Sequence, residues 1–205
     1  MHRDALDEKG CAVFPRLVAF RGFSLAGGTA LALQIGHRRS VDFDLFSPAE
    51  IPAGLLKEVE AAFPSASLTP SVNNPDELTI FIDGVKVSFI RYPFPVFSET
   101  VSYEGIAMLT IPLIAATKAY TIGRRASFKD YVDLYFILAE KHDTLSGIMH
   151  RAEAVYDGAF NARLFLEQLT YTEDVHDTEI LFLKPAVTPE RLQEFFASSI
   201  KEIVL

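Results

Sequence analysis

Two aspartates, Asp42 and Asp44, stand one residue apart in a segment where apolar and polar residues alternate. The alternation over 41–46 predicts a β-strand on which both carboxylates project from the same face, about 7 Å apart at the backbone. At that separation two ionised carboxylates repel by roughly 2 kcal/mol at an effective dielectric of about 20. A half-buried strand tolerates this poorly without a cation between them. Oxygen ligands of this kind favour Mg²⁺, which binds through one or two carboxylates together with phosphate oxygens.

A pair of glycines, Gly27 and Gly28, precedes these carboxylates, between a short strand predicted for 23–26 and a short helix predicted for 29–35. Because glycine has no side chain, a ligand can approach the backbone closely there. The N–H groups and the positive dipole end at the start of the helix suit a phosphate. Gly-Gly is common in turns and Asp-x-Asp at solvated strand edges, so the prediction of a nucleoside-triphosphate site rests on their combination.

The elements that must position this site fall into two groups along the chain. Further strands are predicted over 66–72, 78–82 and 85–92, and the Asp83-Gly84 pair predicts a hairpin between the last two. Further helices are predicted over 52–63, 113–122, 127–140, 144–156, 161–169 and 189–203. This segregation predicts an α+β fold with one lobe at 1–100 and a helical lobe at 101–205, divided near the proline-containing stretch 93–100.

Composition excludes several classes of protein. The chain has 205 residues, 49% of them hydrophobic, with 27 acidic and 19 basic residues and a net charge of -8. An extended electrostatic grip on nucleic acid is therefore not expected; basic residues cluster only locally, at 37–39 and at 124–125. The acidic run 173–179 matches no metal-ligand spacing and is predicted to be a solvated loop.

Cysteine usage and hydropathy point to a cytoplasmic location. A single cysteine, Cys11, cannot form an internal disulfide or a cysteine zinc site. No uncharged apolar run reaches the roughly 20 residues that a membrane helix needs, and the N-terminus lacks the apolar core of a signal peptide. We therefore expect a cytoplasmic protein with no membrane partner.

A second group of chemically capable residues falls in the predicted helical lobe. Lys118 shares a helical stripe with small and apolar residues. Its ammonium either extends to the surface or reaches a cleft and binds triphosphate as a point charge. Asp130 stands where the capping box Ser127-x-x-Asp130 needs an acid, and Asp133 lies one turn further along the same face.

The residues that carry a family resemblance are the run 25–34 (Leu-Ala-Gly-Gly-Thr-Ala-Leu-Ala-Leu-Gln), then 36–38 and 40–46, and a second block made of Lys118, Arg125 and 129–134. These blocks resemble the AbiEii/AbiGii-type nucleotidyltransferase toxins of the DNA polymerase β-like superfamily, over about residues 20–200. The resemblance implies a minimal polymerase β-like sheet with a C-terminal helical lobe. It also implies Mg²⁺ as cofactor and transfer of a nucleotidyl group from a nucleoside triphosphate to an acceptor.

The resemblance also implies roles for individual residues. Asp42 and Asp44 would bind the metal, and Lys118 and Asp130 would complete the catalytic set, with Asp130 as general base or acceptor-orienting group. The predicted substrate-binding set is Gly27, Gly28, Thr29, His37, Arg38, Ser40, Arg125 and Asp133.

One position departs from the family pattern. The superfamily often carries a third carboxylate on a later strand, where this chain has Ser88. Either another group serves as base, or one metal binds, or this copy is impaired. The leading expectation is a Mg²⁺-dependent nucleotidyltransferase acting on RNA, especially tRNA, or on a protein hydroxyl, as the toxin of a toxin–antitoxin or phage-defence pair. The alternatives are an impaired nucleotide-binding module and a non-enzymatic protein whose acidic surface pairs with a basic antitoxin.

Overall fold

The computed structural model describes residues 1–122, 124–125, 127–171 and 179–203. The chain divides into two compact units, Met1–Thr110 and Ile111–Leu205. The first unit carries a mixed sheet and the second is helical where it is described, so the predicted α+β class is confirmed. Of the predicted acidic loop, all residues but Glu179 lie outside the described ranges.

One sheet organises the first unit. Its strands, within the described residues, are β1 (Ser24–Ala26), β2 (Phe43–Ser47), β3 (Leu68–Asn73), β4 (Glu77–Ile82), β5 (Val85–Arg91), β6 (Thr100–Tyr103) and β7 (Ile106–Leu109). They are ordered β3-β4-β5-β2-β1-β7-β6. The pairs β2/β5 and β1/β7 are parallel and the remaining pairs are antiparallel. β1 and β2, which flank the candidate site, therefore lie at the centre of the sheet.

The register gives the sheet one apolar face and one polar face at the level of the site. Leu25, Leu45, Phe89 and Leu78 are paired across β1, β2, β5 and β4, and each is at most 1% exposed. One residue along, on the opposite face because side chains alternate, the paired residues are Ala26, Asp44, Ser88 and Thr79. The apolar row forms core, and its burial fixes the register of the polar row.

Two hairpins of the same kind shape this sheet. The predicted turn at Asp83-Gly84 is present, with φ of 50° and 86°, the left-handed values that a two-residue hairpin turn requires. A second hairpin, absent from the predicted elements, turns at Glu104-Gly105 and joins β6 to β7. Because β7 pairs with β1, this hairpin belongs to the first unit, which ends later than the predicted boundary.

The helices of the first unit are α1 (Glu8–Val13), α2 (Gly27–Ile35) and α3 (Leu55–Ala62). α2 begins two residues earlier than predicted, so both glycines belong to its first turn. It ends at Gly36, whose φ of 65° provides the left-handed C-terminal residue that favours glycine. α2 packs against β1 and β2, which brings its N-terminus to the centre of the sheet.

The second unit contains α4 (Ile111–Ile122), α5 (Phe128–Ala139), α6 (Leu145–Tyr156), α7 (Ala162–Thr170) and α8 (Pro189–Lys201). Side-chain oxygens of Thr144, Asn161 and Thr188 cap α6, α7 and α8, as expected from their residue types. α4 is apolar on most of its surface and packs against α5, α6 and α7. In the described ranges no helix has both the length and the apolar character needed to cross a membrane.

Candidate active site

The two aspartates of the predicted metal site occupy different backbone settings. Asp44 lies within β2 and is half-buried, between the buried neighbours Phe43 and Leu45. Asp42 directly precedes β2 and is exposed. The strand thus begins two residues later than predicted, at Phe43, and Asp42 lies at its entrance.

The bend at Gly27 lies against the Asp44 carboxylate. Gly27 has a φ of 64°, a conformation that side chains rarely adopt. A Cβ atom placed on Gly27 would lie only 2.9 Å from Asp44 Oδ2. Ala26, the register partner of Asp44, has no side-chain oxygen with which to cap the first turn of α2. The structure therefore brings the glycine bend, the N-terminus of α2 and one carboxylate to the same place.

A hydroxyl pair ties α2 to the entrance of β2. Thr29 Oγ1 lies 2.7 Å from Ser40 Oγ, and the Thr29 hydroxyl donates to the backbone carbonyl of Asp42. Thr29 is buried, 2% exposed. Both residues were predicted to bind substrate. In this structure they hold the backbone of Asp42 beside the start of α2.

His37 and Arg38 follow α2 and are buried, 0% and 3% exposed, although a run of polar residues after a helix is typical of a solvated turn. Arg38 Nη1 donates to the carbonyl of Arg39 at 3.1 Å, and Arg39 itself is exposed. The backbone N–H of Ser40 donates to the carbonyl of Ala5 at 2.9 Å, which pins the N-terminal segment here. The buried guanidinium of Arg38 thus places a positive charge four residues before Asp42 in the sequence.

Ser88 is the register partner of Asp44 on the parallel strand β5. It is 2% exposed, and its Oγ lies 2.9 Å from Thr79 Oγ1 on β4. Thr79 is not among the site residues that the sequence predicts. The signal was available, because the two-residue turn at Asp83-Gly84 fixes the register that places Thr79 opposite Ser88.

The donor set suits a hard divalent cation that brings ligands of its own. Across the described residues, no group of three or more His, Cys, Asp or Glu side chains is placed to hold a metal ion. Asp42 and Asp44 supply only carboxylate oxygens. Mg²⁺ is commonly bound by one or two carboxylates with substrate phosphates completing its coordination, so the residues present fit a metal that arrives with a triphosphate.

In the second unit, α4 and α5 share a buried ionic network. Lys118 Nζ lies 2.5 Å from Asp130 Oδ1 and 2.6 Å from Asp133 Oδ2. The side chains of both aspartates are 0% exposed and that of Lys118 is 5% exposed. The alternative in which Lys118 extends to the surface is therefore wrong, because its ammonium is held between two buried carboxylates. An unpaired buried charge would be costly, and this pairing offsets that cost.

Arg125 completes the network from the solvent side. Its Nε and Nη2 donate to Asp130 Oδ2 and Oδ1 at 2.8 and 3.0 Å, a bidentate contact, while its side chain remains 61% exposed. Burial by itself raises the pKa of Asp130, but the charge of Lys118 and the hydrogen bonds from Arg125 and Lys118 outweigh it and lower that pKa. Asp130 is therefore held in its ionised form.

Comparison with known proteins now identifies the family. The family model described as "Nucleotidyl transferase AbiEii toxin, Type IV TA system" matches residues 12–204. The chain belongs to the AbiEii nucleotidyltransferase toxin family. An uncharacterized protein of Aquifex aeolicus (strain VF5) is 30% identical over 182 residues, which cover 88% of this chain and 87% of that protein. The resemblance stated from the sequence is confirmed, and the chain is a nucleotidyltransferase.

Solved structures agree with this fold. MenT4, a nucleotidyltransferase toxin from Mycobacterium tuberculosis, has a TM-score of 0.59 at 16% identity, covering 94% of this chain and 83% of that one. JHP933 from Helicobacter pylori has a TM-score of 0.52 at 21% identity, covering 80% of this chain and 90% of that one. The polymerase β-like fold with a helical C-terminal part is thus confirmed for this AbiEii-family chain.

Two details of the predicted set differ in this AbiEii-family protein. Ser127 precedes α5, but its side chain does not cap the helix within the described segment, and the Asp130 carboxylate pairs with cations instead of closing a capping box. Arg124, expected in a basic patch, donates to the carbonyls of Tyr120 and Ala159 at 2.7 Å each. Its guanidinium also lies 3.6 Å from the centre of the Tyr120 ring. Arg124 therefore helps to hold the second unit together.

Proposed function

We propose that this protein transfers a nucleotidyl group from a Mg²⁺-bound nucleoside triphosphate to an acceptor hydroxyl, with Asp42 and Asp44 as metal ligands. The observation that carries the proposal is the contact between the glycine bend and a carboxylate, where a Cβ on Gly27 would lie 2.9 Å from Asp44 Oδ2. A phosphate at the start of α2 would thus lie beside the carboxylate that holds its cation.

The residues of the first unit divide the work of binding. The N–H groups at the start of α2, including those of Gly27 and Gly28, would receive phosphate oxygens, since the positive end of the helix dipole favours negative charge. Thr29 and Ser40 keep the Asp42 backbone next to that helix start. A contact of His37 and Arg38 with phosphate or acceptor stays a prediction, since both residues are buried in this structure. The bound Mg²⁺ would neutralise the triphosphate and align it for in-line attack.

In the second unit, we propose that Asp130 orients cationic partners and does not act as a general base. A carboxylate whose pKa is lowered by two cations is a weak proton acceptor at neutral pH. Lys118 would hold Asp130 and Asp133 in place, and Arg125, being 61% exposed, is the cation of this network that is open to a phosphate. A direct contact of Lys118 with triphosphate, and a substrate contact of Asp133, stay predictions.

The acceptor and the biological role extend the proposal. A net charge of -8 disfavours a long RNA footprint, whereas a single RNA 3′ end, as in tRNA, or a protein hydroxyl needs only local contact. Type IV toxin–antitoxin membership of the family supports a toxin with a cognate antitoxin. The proposed nucleotide substrates are cytoplasmic metabolites, so the proposal keeps the predicted cytoplasmic location.

A labelling experiment tests the proposal. The purified protein is incubated with each of the four α-labelled nucleoside triphosphates, Mg²⁺ and total RNA, and the label is then sought on RNA and on protein. We expect Mg²⁺-dependent labelling that is lost in Asp42→Ala and kept in Asp4→Ala, an exposed aspartate of the same unit. No labelling, together with calorimetric nucleotide binding that Asp42→Ala abolishes, would instead identify a binding module. The absence of both labelling and binding would refute the proposal.

A further inference from the structure

A row of three polar side chains on β4 and β5 leads to Ser88, the register partner of Asp44. Glu77 Oε1 lies 2.5 Å from Thr79 Oγ1, which lies 2.9 Å from Ser88 Oγ. Thr79 and Ser88 are 3% and 2% exposed, whereas Glu77 is half-buried. Buried hydroxyl groups are costly unless they form hydrogen bonds, so this row has a defined set of donors and acceptors.

The Glu77 carboxylate fixes the direction of the hydrogen atoms along this row. An ionised carboxylate can only accept, and a hydroxyl has one hydrogen to donate. Thr79 therefore donates to Glu77 and has only lone pairs to offer to Ser88. Ser88 in turn must donate its hydrogen to Thr79. Because Ser88 gives its only hydrogen to Thr79, both lone pairs of Ser88 Oγ are acceptors on the polar face of the sheet.

The position of this acceptor is set by the sheet. Ser88 and Asp44 are register partners on adjacent parallel strands, so their side chains leave the same face from backbones about 4.8 Å apart. At the other end of the row, Asn74 Oδ1 accepts from the backbone N–H groups of Asp76 and Glu77 at 2.9 Å each, which fixes the start of β4. Both ends of the row are thus held by the backbone.

We propose that Ser88 supplies a neutral third oxygen, beside Asp42 and Asp44, to the cation that accompanies the nucleoside triphosphate. In this proposal Glu77 is a positioning residue that sets the direction of the Ser88 hydroxyl through Thr79. The inference rests on the proposed function, because it needs the metal-bound nucleotide at Asp44. An uncharged ligand, Ser88, thus occupies the position where the superfamily often has a carboxylate. The negative charge of Glu77 lies two side chains away, beyond Thr79.

Binding of Mn²⁺ with α,β-methylene-ATP, a nucleotide that cannot transfer, tests this inference without measuring activity. Electron paramagnetic resonance of free Mn²⁺ reports the affinity of each variant, and thermal unfolding reports its stability. We expect Ser88→Ala to bind about tenfold more weakly, since ligand-orienting contacts of this kind cost 10–100-fold in metal affinity. Ser71→Ala is the matched control, because Ser71 Oγ donates to the backbone carbonyl of Thr79 and not to its hydroxyl.

Two variant pairs separate positioning from mere structural support. Thr79→Val removes the link and should weaken Mn²⁺–nucleotide binding, whereas Thr79→Ser keeps the hydroxyl and should preserve it. Glu77→Ala removes the acceptor that sets the direction, whereas Glu77→Gln retains an acceptor oxygen and loses only the charge. We therefore expect Glu77→Gln to bind within about twofold of the wild type and Glu77→Ala to bind more weakly.

The outcomes distinguish this inference from the proposed function. If Asp44→Asn abolishes binding while Ser88→Ala and Thr79→Val bind as the wild type does, the inference is overturned and the proposed function stands. Should the wild type itself fail to bind, or Asp44→Asn bind equally well, both are refuted. Weakened binding in Ser88→Ala, Thr79→Val and Glu77→Ala, with Thr79→Ser, Glu77→Gln and Ser71→Ala unchanged, supports the inference.

Discussion

Each unit of this protein carries a pair of neighbouring aspartates, and the two pairs differ in their burial. Asp42 is exposed and directly precedes β2. Asp44 is half-buried and lies within β2, on the polar face of the sheet. Asp130 and Asp133 are fully buried, with Lys118 between them and Arg125 over one of them. The first pair is at least partly exposed to solvent, and the second is buried together with the cations that contact it.

This difference shows that two neighbouring aspartates can serve either stability or ligand binding, depending on their surroundings. Where the protein supplies the cation, as Lys118 does for Asp130 and Asp133, the folded state is expected to lose stability when that cation is removed. The pair at the start of β2 is the proposed metal site, so its removal should cost function far more than stability. The variants below break or sharpen this contrast, in order of expected effect.

The largest effect is expected from Lys118→Met. Removing the ammonium takes away the cation shared by two buried carboxylates and leaves the contact of Arg125 with Asp130, which should cost about 3–5 kcal/mol in the free energy of unfolding. Urea denaturation followed by circular dichroism measures it, with Lys201→Met as the control because Lys201 is exposed on α8. A loss below about 1 kcal/mol, similar to that of an exposed ion pair, would contradict the structural role given to Lys118.

Asp44→Asn should show the reverse profile. We expect about a hundredfold loss of nucleotidyl transfer, since the proposed metal ligand is removed, with a change of about 1 kcal/mol or less in the free energy of unfolding. Transfer assays and urea denaturation on the same preparation measure both quantities. If stability falls as far as in Lys118→Met while transfer is kept, Asp44 is a structural residue and the contrast between the two pairs disappears.

Gly27→Ala should have an intermediate effect on both quantities. A Cβ at φ 64° is strained by about 1–3 kcal/mol, and it would press on Asp44 Oδ2. We expect lower stability and weaker nucleotide binding by calorimetry. Gly22→Ala is the matched control, since a Cβ on Gly22 meets nothing within 4 Å. Equal behaviour of the two variants would show that the bend does not require glycine.

The smallest effect is a dependence of stability on pH. Because the pKa of Asp130 is lower in the folded protein than in the unfolded chain, its stabilisation is complete above the unfolded value of about 3.9. That stabilisation is lost as the pH falls through the lower folded value. Denaturation of the wild type and of Asp130→Asn between about pH 6 and 2 measures it. A decline equally steep in both proteins would assign the acid sensitivity to other groups.

Local patterns in the sequence predicted much of this molecule. Asp83-Gly84 predicted the hairpin because its residue types suit left-handed backbone, and the same turn determines that Thr79 lies opposite Ser88. The glycine bend before the alternating strand predicted that α2 and β2 meet. Glu104-Gly105 carried a similar turn signal that was overlooked beside the proline-containing stretch 93–100.

The remainder depends on contacts between residues distant in sequence. The side chain of Asp130 suits a capping box locally, and only the packing of α4 against α5 gives it Lys118 as a partner. Arg38 lies in a polar run that favours a solvated turn but is buried, and nearby the backbone N–H of Ser40 donates to the carbonyl of the distant Ala5. The sequence offered no short-range signal for either outcome.

The pairing of β1 with β7 has a consequence for biosynthesis. It pairs Leu25 with Met108, which is synthesised much later. By contrast, Asp44 on β2, the other neighbour of β1, follows Leu25 closely in the sequence. A nascent chain on the ribosome can form the antiparallel β1/β2 pair early, but β1 obtains its second neighbour only after the β6–β7 hairpin has emerged. Contacts between such distant residues form slowly. Truncated translation products that end before Ile106 should therefore lack the β1/β7 pair and, with it, a complete sheet.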